Sequence, residues 1–212
     1  DTLTLIPQYN QHNEDVYVKS INGIPYELKT KSKEKFQKSV ILWGGISYQG
    51  LFPKKSPIFI DEWLKLIRLE GDDRHKKMYF IGDRYAQFIP DTVAEKGAEE
   101  LGDLQNFLFQ DDQDRKQRMQ VALDDAKRIF INRIEPIDCA AKPADVWLIK
   151  SVWGSLKEKL RGREYTQIEQ LKTDIKKEQN KFSISLCQRM IDKMPARLKL
   201  VIDQGGNQIR KD

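Results

Sequence analysis

Cysteine and histidine are scarce: Cys139, Cys187, His12 and His75 are the whole complement in 212 residues. Two cysteines cannot build a disulfide framework, and adding two histidines still gives no ligand spacing for structural zinc, so a reducing compartment is the natural reading. Neither histidine has a nucleophile or an orienting acid near it in sequence, and there is no glycine-rich phosphate loop. Cys-His, Ser-His-Asp and P-loop chemistry therefore have no support. No apolar run reaches the roughly 20 residues a spanning helix needs, so no membrane partner is expected. The N-terminus has no charged-then-apolar secretion signal. It opens directly on a strand-like pattern, as a fragment of something longer would.

What is present is a polar chain with a core. Hydrophobic residues make up 39% and charged residues 33%, which is above the range where no core can form. The net charge is +5 and the pI about 9.0. That balance suits a polyanionic partner without singling one out.

Periodicity divides the chain. Thr2 to Ile6 alternates like a strand, Asn10 to Asp15 reads as a hairpin loop, and Val16 to Val18 as the returning strand. Lys29 to Lys38 is a basic loop. Val40 to Trp43 is a continuous apolar run passing through Gly44-Gly45 to Ile46, which reads as a buried central strand whose glycines allow close backbone approach. Pro57 to Ile60 is a further strand, with Asp61 as cap of a helix through Leu69. Tyr79 to Glu99 has helical spacing interrupted by Pro90. Phe107 to Phe109 is a short strand, Lys116 to Phe130 a helix and Arg133 to Pro136 a brief extended piece. Helices follow at Ile149 to Leu160, Thr166 to Lys181 and Ile184 to Val201, ending at Gly205-Gly206. Strands at the front and helices at the back predict an α/β domain with a central sheet and a helical C-terminal tail.

Four segments, in order, carry a family resemblance: VILWGGIS (Val40 to Ser47), FQDDQD (Phe109 to Asp114), ADVWLIKSVWGSLKEKLRG (Ala144 to Gly162) and CQRMIDKMPARLKLVIDQGG (Cys187 to Gly206). They resemble the mariner superfamily of DDE transposases, across essentially the whole chain. The resemblance implies a ribonuclease H-like mixed sheet flanked by helices, with residues 1–162 as catalytic core and 163–212 as C-terminal helices packed on it. It implies metal-assisted attack on a DNA phosphodiester, with Mg²⁺ or Mn²⁺ held by three acids. It also implies double-stranded DNA as partner, a nuclear location and room for a homodimer. The helix-turn-helix domains that relatives carry upstream are not seen in this sequence.

The acids are then assigned by resemblance. Asp112 matches the second acid, after the Phe109 strand; Asp111 stands where many relatives have glutamine, and Asp114 could act as an outer group. For the first acid two registers stay open. Ungapped, Asp1 falls two positions beyond the family aspartate, which would precede the chain; with a two-residue deletion, Asp1 is that acid. A deletion inside a strand flips its faces, which favours the ungapped register. The third acid is replaced: aligning Val152-Trp153-Gly154 on the family motif puts Lys150 on the glutamate position. Asp145 is a weak substitute for it. An ammonium at Lys150 can reach towards Asp112 in place of a metal ion. The resemblance therefore implies a catalytic domain inactive in this copy. The alternative is a non-catalytic DNA-binding or interaction module that keeps the fold. Candidate phosphate contacts are Lys29, Lys31, Lys33, Lys35, Lys157 and Arg161. Trp147 is either a core residue or a stacking platform for a base.

Overall fold

In the computed structural model the described residues are 1–5, 38–68, 77–111, 114–135, 138, 146–207 and 209. The expected hairpin over residues 10–18 and the basic run at Lys29, Lys31, Lys33 and Lys35 lie outside them, as do Asp112 and Asp145.

A three-stranded antiparallel sheet has the order β1 (Thr2–Thr4), β2 (Ser39–Trp43), β5 (Ile58–Phe59). The VILW run is therefore the central strand, as its composition predicts. It is not buried on both faces: Val40 and Leu42 are buried, while Ile41 is 39% exposed. It also stops at Gly44 rather than running on to Ile46. Gly45–Ser47 (β3) instead pairs with Gly50–Phe52 (β4) in a separate hairpin. Gly44 allows the break and a close approach. A Cβ there would sit 3.0 Å from the Trp153 ring and 3.2 Å from the Phe52 carbonyl oxygen.

Helix α1 (Ile60–Leu66) leaves β5 directly, with Phe59 as N-cap and no side-chain cap bond. Asp61, expected as the cap, lies inside the first turn with Glu62, where acids oppose the positive end of the helix dipole. The Tyr79 to Glu99 segment folds as α2 (Gly82–Phe88), a π-helical stretch Ile89–Ala94 and α3 (Glu95–Leu101). Pro90 does not end the helix, because the wider turns absorb its missing N–H. Phe107 to Phe109 makes only one parallel bridge, Phe109 to Arg133. Helix α4 (Gln120–Ile129) starts four residues later than the spacing suggests, after a turn at residues 115–118.

Helix α5 (Leu148–Leu160) and α6 (Ile168–Gln179) follow the expected periodicity. The predicted last helix is two, α7 (Ile184–Asp192) and α8 (Met194–Asp203), with Lys193 between them. Pro195 sits in the first turn of α8, the one place in a helix where a missing N–H costs nothing. No described helix is long and apolar enough to cross a membrane.

Two apolar layers sandwich the sheet. Leu3, Val40 and Leu42 pack with Val152 and Leu156 of α5, Leu171 and Ile175 of α6 and Cys187 of α7. Phe52, Ile60 and Trp63 pack with Tyr85, Phe88, Ile89, Ala122 and Phe130. At the edge between α1 and α6 the buried Lys172 ammonium donates to Asp61 Oδ2 (2.6 Å) and Glu62 Oε1 (2.8 Å) and lies 5.2 Å from the Phe59 ring centroid. Burial opposes its charge, but the two carboxylates outweigh burial and hold its pKa above the ordinary lysine value. A raised folded pKa stabilises fully below the unfolded value and is lost as pH rises through the folded one. Lys172→Met should therefore lower stability by about 1.5–3 kcal/mol, the range for hydrogen bonds to charged groups. Urea melts at neutral pH would read this loss, and the gap to wild type should close in strong alkali.

Candidate functional site

A cleft of about 1020 Å³ opens where β2 ends, between the Phe109 strand and the start of α5. Its lining includes Asp1, Ile41, Trp43, Asp111, Asp114, Lys116, Lys150 and Lys157.

Asp1 extends the β1–β2 ladder by one residue. Its backbone nitrogen donates to the Leu42 carbonyl (2.8 Å), and the Leu42 N–H donates to the Asp1 carbonyl (2.7 Å). Side chains alternate along a strand, so Asp1 shares a face with Leu3 and Leu5, the face covered by α5. There its carboxylate meets the Lys157 ammonium at 2.8 Å. Burial on the cleft wall pushes the Lys157 amine below its ordinary pKa. Lys157 is two helical turns beyond Lys150, about 10 Å at 1.5 Å per residue. Asp1 is thus engaged well down the helix from the third-acid position.

Lys150 is in the first turn of α5, with its ammonium 5.9 Å from the Trp147 ring centroid. Trp147 is only 7% exposed. It packs as a core residue with a cation beside it, its edge forming part of the cleft wall. Arg161, at the far end of α5, pairs with Glu158 at 3.0 Å and does not line the cleft.

Asp111 has a role that sequence reasoning missed. Its carboxylate accepts from Arg133 Nη2 at 3.0 and 3.2 Å, and the side chains are only 7% and 1% exposed. The parallel bridge between Phe109 and Arg133 brings them together; Phe109 N–H donates to the Asn132 carbonyl and Ile134 N–H to that of Phe109. The Tyr85 hydroxyl, buried and lacking a well-formed hydrogen bond among the described residues, lies close enough to feel the Asp111 charge. Burial raises the Asp111 pKa although Arg133 opposes it. The one signal in the sequence was an arginine between the apolar residues Phe130, Ile131 and Ile134. Asp114, on the cleft rim, accepts from Lys116 Nζ at 3.1 Å.

Every described carboxylate of the cleft is therefore within 3.1 Å of a lysine or arginine nitrogen. Among the described residues no three acids, histidines or cysteines converge as a metal site would require. Mg²⁺ and Mn²⁺ need converging oxygen ligands; among the described residues the three acids of the cleft each face a lysine or arginine instead.

No family model and no curated protein matches this sequence. Solved structures do match in fold. The catalytic domain of the Mos1 mariner transposase aligns with TM-score 0.64 at 13% identity, covering 82% of this chain and 77% of that one. The same domain with raltegravir and Mn gives TM-score 0.64 at 13% identity, over 82% of this chain and 78% of that one. The Mos1 mariner paired-end complex with Mn gives TM-score 0.71 at 14% identity, over 99% of this chain but 55% of that one. The chain thus spans about half of the transposase found in that complex. The expected ribonuclease H-like α/β fold is the one found, that of a mariner transposase catalytic domain.

Proposed function

We propose that this chain is a mariner-type transposase domain that has kept its DNA cleft and lost metal-dependent cleavage. One observation carries the reading: Lys150 lies in the first turn of helix α5, on the wall of the same cleft as Asp111, the residue adjacent to Asp112. That is where the resemblance places an acid. In relatives of this fold, divalent ions clamp the attacking and leaving oxygens of a phosphodiester. Here the described acids are paired internally, and a cation replaces the third. An ammonium near a divalent ion repels it, so the substitution both removes a ligand and adds an opposing charge.

What these residues can still do is hold DNA. Lys157, Lys150 and Lys116 face one cleft, as phosphate contacts that position without reading sequence would. Work on chromosomal DNA would place the protein in the nucleus. The purified chain should not nick supercoiled plasmid in Mg²⁺ or Mn²⁺. Agarose electrophoresis would show this, and metal-dependent nicking abolished by Asp112→Asn would overturn the reading.

A further inference from the structure

The segment between α5 and α6 displays a hydroxyl in a setting that the rest of the chain does not repeat. Its sequence is Arg161-Gly162-Arg163-Glu164-Tyr165-Thr166. Of all the serines and threonines in the chain, only Thr166 has an arginine three residues before it, and a second stands five before. We propose that Thr166 is a phosphorylation site for a protein kinase that reads arginine on the N-terminal side of its acceptor. Thr166 does not line the cleft, so the site stands apart from whatever the cleft binds.

Two observations support it. First, the fold presents the acceptor. Gly162, at φ +77°, turns the chain out of α5, and neither helix nor strand covers residues 163–167. Arg163 and Tyr165 reach Asp174, at 2.7 and 3.0 Å, while the alternate residues Glu164 and Thr166 are exposed. The Thr166 hydroxyl and amide both donate to Gln170 Oε1, at 3.2 and 3.3 Å, a surface contact that a kinase can displace. Second, both arginines can be released. Arg161 pairs with Glu158 at 3.0 Å, with side chains 49% and 66% exposed, and ion pairs so open to solvent are weak. Arg163 holds Asp174 and Glu178, yet neither acid is stranded when it leaves. The Tyr165 hydroxyl stays on Asp174, and Lys181 stays on Glu178 at 2.9 Å. Each freed guanidinium can then pair two-pronged with a carboxylate of the kinase groove. In the reaction Thr166 Oγ1 attacks the γ-phosphorus of ATP. The new O–P bond forms as the bond to the β–γ bridging oxygen breaks. ADP leaves with that electron pair, and the hydroxyl proton passes to the catalytic aspartate of the kinase. The phosphate brings about −1.5 to −2 charges to the N-terminal end of α6, where the helix dipole favours an anion.

The test is phosphorylation of the folded chain by the catalytic domain of such a kinase with MgATP, read by mass spectrometry. Wild type should take up a single phosphate, located by fragmentation to Thr166. Thr166→Ala should take up none, with unchanged circular dichroism showing that its fold is intact. Arg161→Gln leaves the Arg163 network in place and should lower kcat/KM for phosphorylation by about tenfold or more, as loss of a hydrogen bond between charged groups does. No uptake by wild type, or uptake at another residue, would overturn the site. Uptake that begins only once urea unfolds the chain would do the same, because the folded surface would then not present the hydroxyl. An Arg161→Gln variant modified at the wild-type rate would overturn recognition through the arginines.

Discussion

Arg133→Ala should cost the protein about 3–5 kcal/mol, because it strands a charge where water cannot reach it. The Asp111 carboxylate would keep its burial and lose its partner. Its raised pKa fixes the sign of the pH dependence. A carboxyl bound more tightly to its proton in the folded state favours folding at low pH, and that contribution is lost as pH rises through the folded pKa. Without Arg133 the folded value climbs further, so stability should fall over a wider pH window than in wild type. Urea melts between acid and neutral pH would show the curves diverging as pH rises. The double variant Arg133→Met with Asp111→Leu should recover most of the loss, since replacing both partners removes the uncompensated charge. Equal stability of Arg133→Ala and wild type at neutral pH would contradict the buried pair.

A loss of similar size is expected at Phe88. This ring is fully buried and meets Trp43, Trp63 and Phe80 edge-on, with centroids 5.4, 5.1 and 5.5 Å away. Phe88→Ala removes a buried ring and leaves a cavity that the three surrounding aromatics cannot easily collapse into, a cost of about 3–5 kcal/mol. Trp43 is also part of the cleft wall. Thermal melts should show the destabilisation, and tryptophan emission should shift red as Trp43 and Trp63 gain mobility. Phe88→Leu should lose distinctly less. An alanine variant with wild-type stability would mean that the cluster is not close-packed.

Local patterns that depend on one element were legible in the sequence. Val40 and Leu42 announce a strand by composition, and Ile149, Val152, Trp153, Leu156 and Leu160 announce α5 by spacing. Features that depend on two elements were not. Nothing near Asp111 indicates that Arg133 lies beside it, because the parallel bridge is made only in the folded chain. The ion pair of Asp1 with Lys157 joins the two ends of the described core in the same way. Asp61 reads as a cap by its type, yet the helix starts two residues before such a cap would allow and the carboxylate serves Lys172 instead. Tertiary demand for a counter-ion outweighs the modest gain of a cap. Pro90 reads as a break because helix rules assume α geometry; a π stretch escapes them.

The contact between Gly44 and Trp153 bears on what such motifs record. VILWGGIS and SVWGSL, two of the four stretches that carry the resemblance, are the two halves of one interlock: an indole seated on a residue with no side chain. A change in either half is felt by the other. A methyl on the glycine would stand 3.0 Å from the ring, which must then shift by a few tenths of an ångström, and a smaller residue in place of the tryptophan leaves a hole. Lys150, three positions from that tryptophan and exposed, is not part of that interlock. A chain of this fold can therefore lose its chemistry while its signature endures, so the signature vouches for architecture and is silent about turnover.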